Sequence, residues 1–293
     1  MAREPAILVI GASGQLGYEL LSLLPPLGRV LAEDQATFDL ADPDAIRRRI
    51  RELAPDIIVN AAAYTAVDLA EKETELAYAV NATAPGILAE EAKRRGAVLV
   101  HYSTDYVFDG EARTPYVEDA PAGPLGVYGA SKLAGERAVA AAGCAALVFR
   151  TSWVYGLRGK NFLLTMKKLA AERDELRIVA DQVGTPNWCG ELAAATARII
   201  AGGAGAMAER RGLYHMSSTG QTTWYDFARA IIGDTPPPRL VPITTAEYPT
   251  PARRPAYGVF DTRRFERTFG FALPPWRDAL ARCLQATPRP SPD

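Results

Sequence analysis

Residues 6–17 read AILVIGASGQLG. Ala6–Ile10 is an unbroken apolar run, as in a strand covered on both faces of a parallel sheet. It passes directly into Gly11, Ser13, Gly14 and Gly17. Leu16, Leu20, Leu21 and Leu24 then recur at helical spacing until Pro25-Pro26 ends the pattern. Strand, glycine turn and helix in that order suit a dinucleotide: the glycines permit a tight turn and close backbone approach to a pyrophosphate at the helix N-terminus. The spacing is GxxGxxG rather than GxGxxG, so the glycines alone also fit a plain tight turn.

Working outward, the same alternation repeats. Arg29–Ala32 reads as a second strand, and Glu33 and Asp34 follow where a carboxylate meets the adenosine ribose. Asp34 in that role disfavours a 2′-phosphate and tilts the expectation towards NADH. A solvated loop carboxylate is the alternative. Asp42-Pro43 starts a helix to about Leu53. Ile57–Asn60 is a strand whose end, Ala61-Ala62-Ala63-Tyr64, leaves room for a flat ligand or simply packs a helix. Thr74–Arg95 reads as one long helix, with Asn81 inside it where a hydrogen-bonding task offsets its poor propensity. Ala97–Tyr102 is a further buried strand. His101 within it reads as a packed core histidine, and Ser103-Thr104-Asp105-Tyr106 lies at its carboxyl end, the ligand side of a parallel sheet.

GVYGASKLAGE, residues 126–136, comes after a loop rich in proline, glycine and acids. It places Tyr128 and Lys132 one helical turn apart on one face. A phenol beside an ammonium is a proton donor whose pKa can be drawn down towards neutrality. Ala145–Arg150 is the next strand, ending in TSWVYG. The chain is thus α/β, a Rossmann-type doubly wound parallel sheet with a smaller C-terminal substrate-binding domain. The boundaries expected are 1–155 for the dinucleotide-binding part, rejoined by about 188–218, and 156–293 mainly for the substrate part. Within the latter, prolines are dense at 236–255. Arg253, Arg254, Arg263 and Arg264 suit phosphate recognition, at most two of them in earnest. The tail from Ala286 has the composition of a disordered segment.

Composition narrows the partners. With 33 basic and 34 acidic residues there is no basic footprint for nucleic acid or an anionic membrane. No apolar run is long enough to span a bilayer. MAREPAILVIG carries no cleavable-leader pattern, so a cytoplasmic protein is expected. Cys144, Cys189 and Cys283 are odd in number and widely spaced, as for free thiols.

The segments GASGQLGYEL, DIIVNAAAYTAVDLAE, HYSTDYVFDG, PLGVYGASKLAGE, FRTSWVYG, DQVGTP, GLYHMSSTGQTTWYDFA and YPTPARRP resemble the dTDP-4-dehydrorhamnose reductases, a family of the extended short-chain dehydrogenase/reductase superfamily. The resemblance covers nearly the whole chain. It implies hydride transfer from NADPH or NADH to the C4 ketone of a dTDP-4-keto-6-deoxyhexose. Tyr128 is then the proton donor, Lys132 the holder of the nicotinamide ribose, and Thr104 the hydrogen-bond partner of the reacting oxygen. Gly11, Ser13, Gly14, Gln15, Leu16, Asp34, Asp39, Leu40, Ala62, Ala63 and Tyr64 stand at cofactor-contacting positions. Tyr106, Trp153, Asn161 and Arg254 stand on the substrate side.

Departures also carry information. Tyr106 stands where dehydratases of the superfamily carry a Glu, so dehydration is not expected. No Cys/His pair supports epimerisation. Glu19 and Glu191 match carboxylates that bind a metal at a dimer interface in some members, but Ala195 replaces a further acid; no metal is expected, and monomer and homodimer stay open. So do two other readings of the resemblance: a reductase for another nucleotide-linked 4-keto-deoxysugar, and a non-catalytic nucleotide-binding subunit like the regulatory partner of methionine adenosyltransferase.

Overall fold

The computed structural model describes residues 3–233 and 238–287. Pro236 and Pro237 of the proline-dense region, and most of the expected disordered tail, lie outside the described residues.

Six parallel strands form the central sheet. They are β1 (Ala6–Ile10), β2 (Arg29–Glu33), β3 (Ile57–Asn60), β4 (Val98–Thr104), β5 (Ala145–Thr151) and β10 (Gly212–His215), in the order β10-β5-β4-β3-β1-β2. Alternating side chains in β1 serve opposite faces. Ile7 and Val9 join one core with Leu20 and Leu24 of α1 (Gln15–Leu23 and its cap) and Leu192 and Ile199 of α8 (Cys189–Ile200). Leu8 and Ile10 join the other, with Ile46 and Ile50 of α2 (Pro43–Leu53) and Ile87 and Leu88 of α5 (Ala84–Arg95). Burial on both faces is why the strand reads as continuous apolar sequence. Strand order reverses between β1 and β3, the switch point at which a doubly wound sheet opens a crevice.

The expected single helix over Thr74–Arg95 is continuous, but it contains one wider turn. α4 (Thr74–Tyr78) passes into a π-helical turn, Ala79–Thr83, before α5 begins with Pro85 in its first turn. A short α3 (Val67–Ala70) precedes α4, and α6 (Val127–Ala142) carries the Tyr-Lys pair.

The second half has its own core. β6 (Val154–Tyr155) pairs with β9 (Asn187–Trp188), β8 (Val183–Gly184) with β11 (Thr222–Thr223), and β7 (Glu175–Val179) with β12 (Arg239–Ile243). Around them, α7 (Phe162–Glu172), α10 (Trp224–Ile232) and α12 (Trp276–Gln285) bury Tyr155, Leu163, Phe227 and Trp276. The remaining helices, α9 (Gly203–Glu209) and α11 (Arg263–Phe269), send Met207 and Phe265 into the sheet core instead. Arg263 and Arg264, at the start of α11, are engaged by acids. Arg263 pairs with Asp261, and Arg264 with Glu118 and Asp119.

Candidate active site

The glycine turn sits at the switch point. Gly11 has φ +82°, and a Cβ there would stand 2.8 Å from the Ala62 backbone nitrogen. Only glycine lets the ends of β1 and β3 approach this closely. Gly14 caps α1 without any side-chain bond, so the first amides of the helix face the crevice unclaimed by a cap. A pyrophosphate fits such a cradle. Leu16 and Leu40 are core residues, available to a ligand through their backbones.

At the end of β2 the two acids separate. Glu33 is the last residue of β2 and is buried, its Oε1 gripped by the Arg49 Nε and Nη2 at 2.9 and 2.6 Å. Asp34 is half-buried, and its Oδ1 accepts the Ala36 amide at 2.9 Å. Asp39 accepts the Ala41 amide in the same way.

β4 runs two residues further than the apolar pattern indicates, so Ser103 and Thr104 belong to the strand. The Thr104 hydroxyl donates to Asp105 Oδ1 at 3.0 Å and accepts the Tyr106 amide at 3.2 Å, and it lies close enough to the Tyr128 phenol to favour its ionised form. Tyr106 meets Tyr128 edge-on, ring centroids 5.4 Å apart. Gly129 and Gly135 bring α6 this close: a Cβ at either would stand 2.1 Å from a backbone oxygen, of Tyr106 or Asn81.

Asn81, from the π turn, completes the wall. Its Nδ2 donates to Ser131 Oγ at 3.1 Å and to Tyr64 O at 3.0 Å, while its Oδ1 accepts the Tyr64 amide. It thereby ties the end of β3 to the helix of Tyr128. Ala63 and Tyr64 are held at the crevice by this bond, and the Tyr64 hydroxyl is spent on Glu73.

Charges in this region are perturbed by burial. The Tyr128 phenol is pushed up to about 12, with the Thr104 hydroxyl opposing. The sequence predicts the reverse, a phenol drawn down by Lys132, but desolvation is the larger effect here. Lys132 is almost fully buried, donates to Tyr102 O at 2.6 Å, and is lowered to about 8 by desolvation, with Glu136 acting against the fall. Asp105, also buried, is raised to about 7 by the same cause. Nothing in the sequence pattern alone distinguishes Asp105 from a solvated strand-end acid.

In the second half, the Arg254 Nη2 donates to Asp68 Oδ2 at 2.7 Å, and the Ala252 amide donates to Asp68 Oδ1. Its Nη1 is buried with no partner, and its charge is felt by Tyr106. Trp153 has φ +44° and stacks on Trp224 at 3.5 Å. Asn161 caps α7 through Oδ1, and its Nδ2 donates to Gln15 Oε1 at 2.8 Å. Both groups of its amide are thus engaged within the protein, one of them across to α1, where the sequence reading places them against substrate.

Glu19 and Glu191 line a separate groove of about 510 Å³ between α1, α8 and the end of α12. Glu191 pairs with Arg282 there at 3.0 Å. Among the described residues no group of three or more His, Cys, Asp or Glu side chains could hold a metal ion, and no helix is long and apolar enough to cross a membrane.

The model of the RmlD substrate binding domain matches residues 5–288. The chain belongs to that family. A dTDP-4-dehydrorhamnose reductase of Burkholderia thailandensis is 49% identical over 296 residues, covering 95% of this chain and 98% of the relative. One from Escherichia coli K12 is 42% identical over 289 residues, covering 95% and 96%. Among solved structures, the dTDP-4-dehydrorhamnose reductase of Bacillus anthracis in complex with NADP superposes with a TM-score of 0.90 at 36% identity, covering 97% of this chain and 100% of that one. Membership in the RmlD family accounts for the geometry just described, a nucleotide cradle opening onto a tyrosine, a threonine and a lysine.

Proposed function

We propose that this protein reduces the C4 ketone of dTDP-4-dehydro-6-deoxy-L-mannose to the alcohol of dTDP-L-rhamnose, using NADPH or NADH. The observation that carries this is the placing of the Tyr128 phenol beside Thr104 and Tyr106 at the carboxyl end of β4, with Lys132 one turn along α6. When bound, the reduced nicotinamide supplies the hydride.

The chain's residues supply the rest. With the Thr104 hydroxyl turned from Asp105 towards substrate, Thr104 and Tyr128 can each donate one hydrogen bond to a ketone oxygen. As negative charge grows on that oxygen, the Tyr128 proton crosses to it. Burial helps the transfer, because a dry site magnifies every favourable dipole aimed at the developing charge. Lys132 stands behind the phenol as the cation that stabilises the phenolate left behind, and it holds the nicotinamide ribose. Gly11, Ser13, Gly14, Gln15 and Leu16 cradle the pyrophosphate. Asp34, Asp39 and Leu40 serve the adenosine end, and Ala62, Ala63 and Tyr64 the floor beneath the nicotinamide. Tyr106, Trp153 and Arg254 face the sugar nucleotide, with the unpartnered Arg254 Nη1 suited to an anionic oxygen. In this reading the substrate-binding part is residues 156–293, apart from the segments at about 188–218 that return to the sheet.

The test is NAD(P)H oxidation with dTDP-4-dehydrorhamnose, followed at the nicotinamide absorbance. Absence of turnover with either cofactor would defeat the reading and leave a binding subunit in its place. A kcat/KM higher for another nucleotide-linked 4-keto-deoxysugar would move the substrate assignment without moving the chemistry.

A further inference from the structure

Tyr128, Lys132 and Glu136 follow one another at four-residue intervals, so all three lie along one face of α6. The last of them has no part in the chemistry described so far. We infer that Glu136, held by Arg150, is a positioning residue whose carboxylate keeps the Lys132 ammonium charged in its dry site. This rests on the proposed reduction only in supposing that Lys132 must be charged to act.

The geometry is specific. Glu136 is 8% exposed and Arg150 4%. The Arg150 Nε and Nη2 donate to Glu136 Oε1 and Oε2 at 2.8 and 2.6 Å, a two-point fork that fixes the carboxylate plane. The Arg150 Nη1 donates to Glu118 O at 3.2 Å, and Phe108 lies under the guanidinium at 5.0 Å. Glu118 in turn accepts the His215 amide through Oε1, while its Oε2 meets Arg264. The carboxylate is therefore anchored from β5, not merely resting on its own helix.

The other groups around Lys132 offer it little. From β4 come the Tyr102 carbonyl and His101, and the imidazole is held neutral, well below its usual range, by burial and by the Lys132 charge itself. From α6 come Tyr128, a neutral phenol, and Ser131, which is bonded to Asn81 from the π turn. Asp105, on the turn after β4, is raised to about 7 by burial and is bonded to Thr104 rather than to Lys132. Arg150, on β5, is a cation whose fork is turned to Glu136. Glu136 is the acid whose charge acts on Lys132 against desolvation. Removing it withdraws that support and leaves Lys132 to desolvation.

The experiment reads Lys132 directly. The chain has six lysines, so 13C labelling at lysine Cε gives a resolvable NMR titration, with the Lys132 resonance assigned by its loss in Lys132→Met. In the full-length protein, Glu136→Gln should shift the Lys132 midpoint down by at least one pH unit. The alkaline limb of kcat/KM should move with it. Glu136→Asp should restore both in part. A Lys132 midpoint unchanged in Glu136→Gln overturns the inference, whatever happens to turnover. Should Glu136→Gln fail to fold, Arg150→Met serves, because an unbalanced Glu136 should move the midpoint upward; no movement overturns the inference equally. The NMR readout needs no substrate, so its failure is distinct from failure of the proposed reaction.

Discussion

Replacing Asp105 by Asn should stabilise the protein, and by an amount that grows with pH. Asp105 is buried beside Thr104, with no cation bonded to it, and its carboxyl is raised to about 7. In the unfolded chain an Asp titrates near 3.9, about three units lower. The sign follows from proton counts. Between the two values the native state holds the proton more tightly than the unfolded state, so ionisation favours unfolding and stability falls as pH rises. At about 1.4 kcal/mol per unit, the penalty is about 0.5 kcal/mol at pH 4, about 1.5 at pH 5, and about 4 at pH 8, where it levels off. Asn keeps an acceptor for the Thr104 hydroxyl but carries no charge. Urea unfolding of both proteins, followed by tryptophan fluorescence at pH 4 to 8, gives the difference directly. The neutral histidines His101 and His215 also make the protein pH-sensitive, but they are common to both proteins and cancel. A stability difference equal at pH 4 and pH 8 would refute the assignment of Asp105 as a buried, late-ionising acid.

Three further outcomes are expected. Tyr128→Phe should lower kcat by about 10²–10⁴-fold, the usual contribution of a positioned general acid, while the NADP⁺ Kd measured by fluorescence quenching stays within about twofold. Gly11→Ala places a Cβ against the Ala62 backbone at a φ that costs an L-residue about 1–2 kcal/mol. It should weaken NADP⁺ and NAD⁺ at least tenfold in calorimetric titrations, whereas Gly205→Ala, which meets nothing within 4 Å, should leave binding and melting temperature unharmed. Asp34→Ala should raise the affinity for NADP⁺ relative to NAD⁺, since it removes a carboxylate from the adenosine end; an unchanged ratio of the two Kd values would show that Asp34 does not read the ribose.

The parallel sheet was legible because its strands are buried on both faces and so print as unbroken apolar runs, as in Ala6–Ile10 and Ile57–Asn60. The Tyr128–Lys132 pair was legible because helical spacing is a property of sequence. Other features depend on what a residue meets in space. The π turn at Ala79–Thr83 is invisible to periodicity, since its extra width only becomes favourable once Asn81 finds Tyr64 and Ser131. Arg263 and Arg264 look like free cations until α11 turns out to insert Phe265 into the sheet core and leaves them facing acids. Asn161 carries a polar amide suited to a sugar, but its position before α7 makes it a helix cap. Glu136 was in view from the start, at the end of GVYGASKLAGE. A carboxylate two turns from a tyrosine has no evident use until Arg150 is seen to approach from a neighbouring strand.

The place of β10 at the sheet edge has a consequence for how the protein is made. Residues 212–215 pair with β5 only after the ribosome has added the intervening sixty residues, a large part of the second half among them. Until then the outer edge of β5 is an open ladder of amides and carbonyls, a surface on which a second nascent chain can pair. The α8 helix that covers α1 also arrives late, so the nucleotide-binding half stays sticky while its partner is still being threaded out. A clone ending near residue 155 would hold this unfinished state permanently. It should precipitate, even though it contains every residue of the Tyr128–Lys132–Thr104 set.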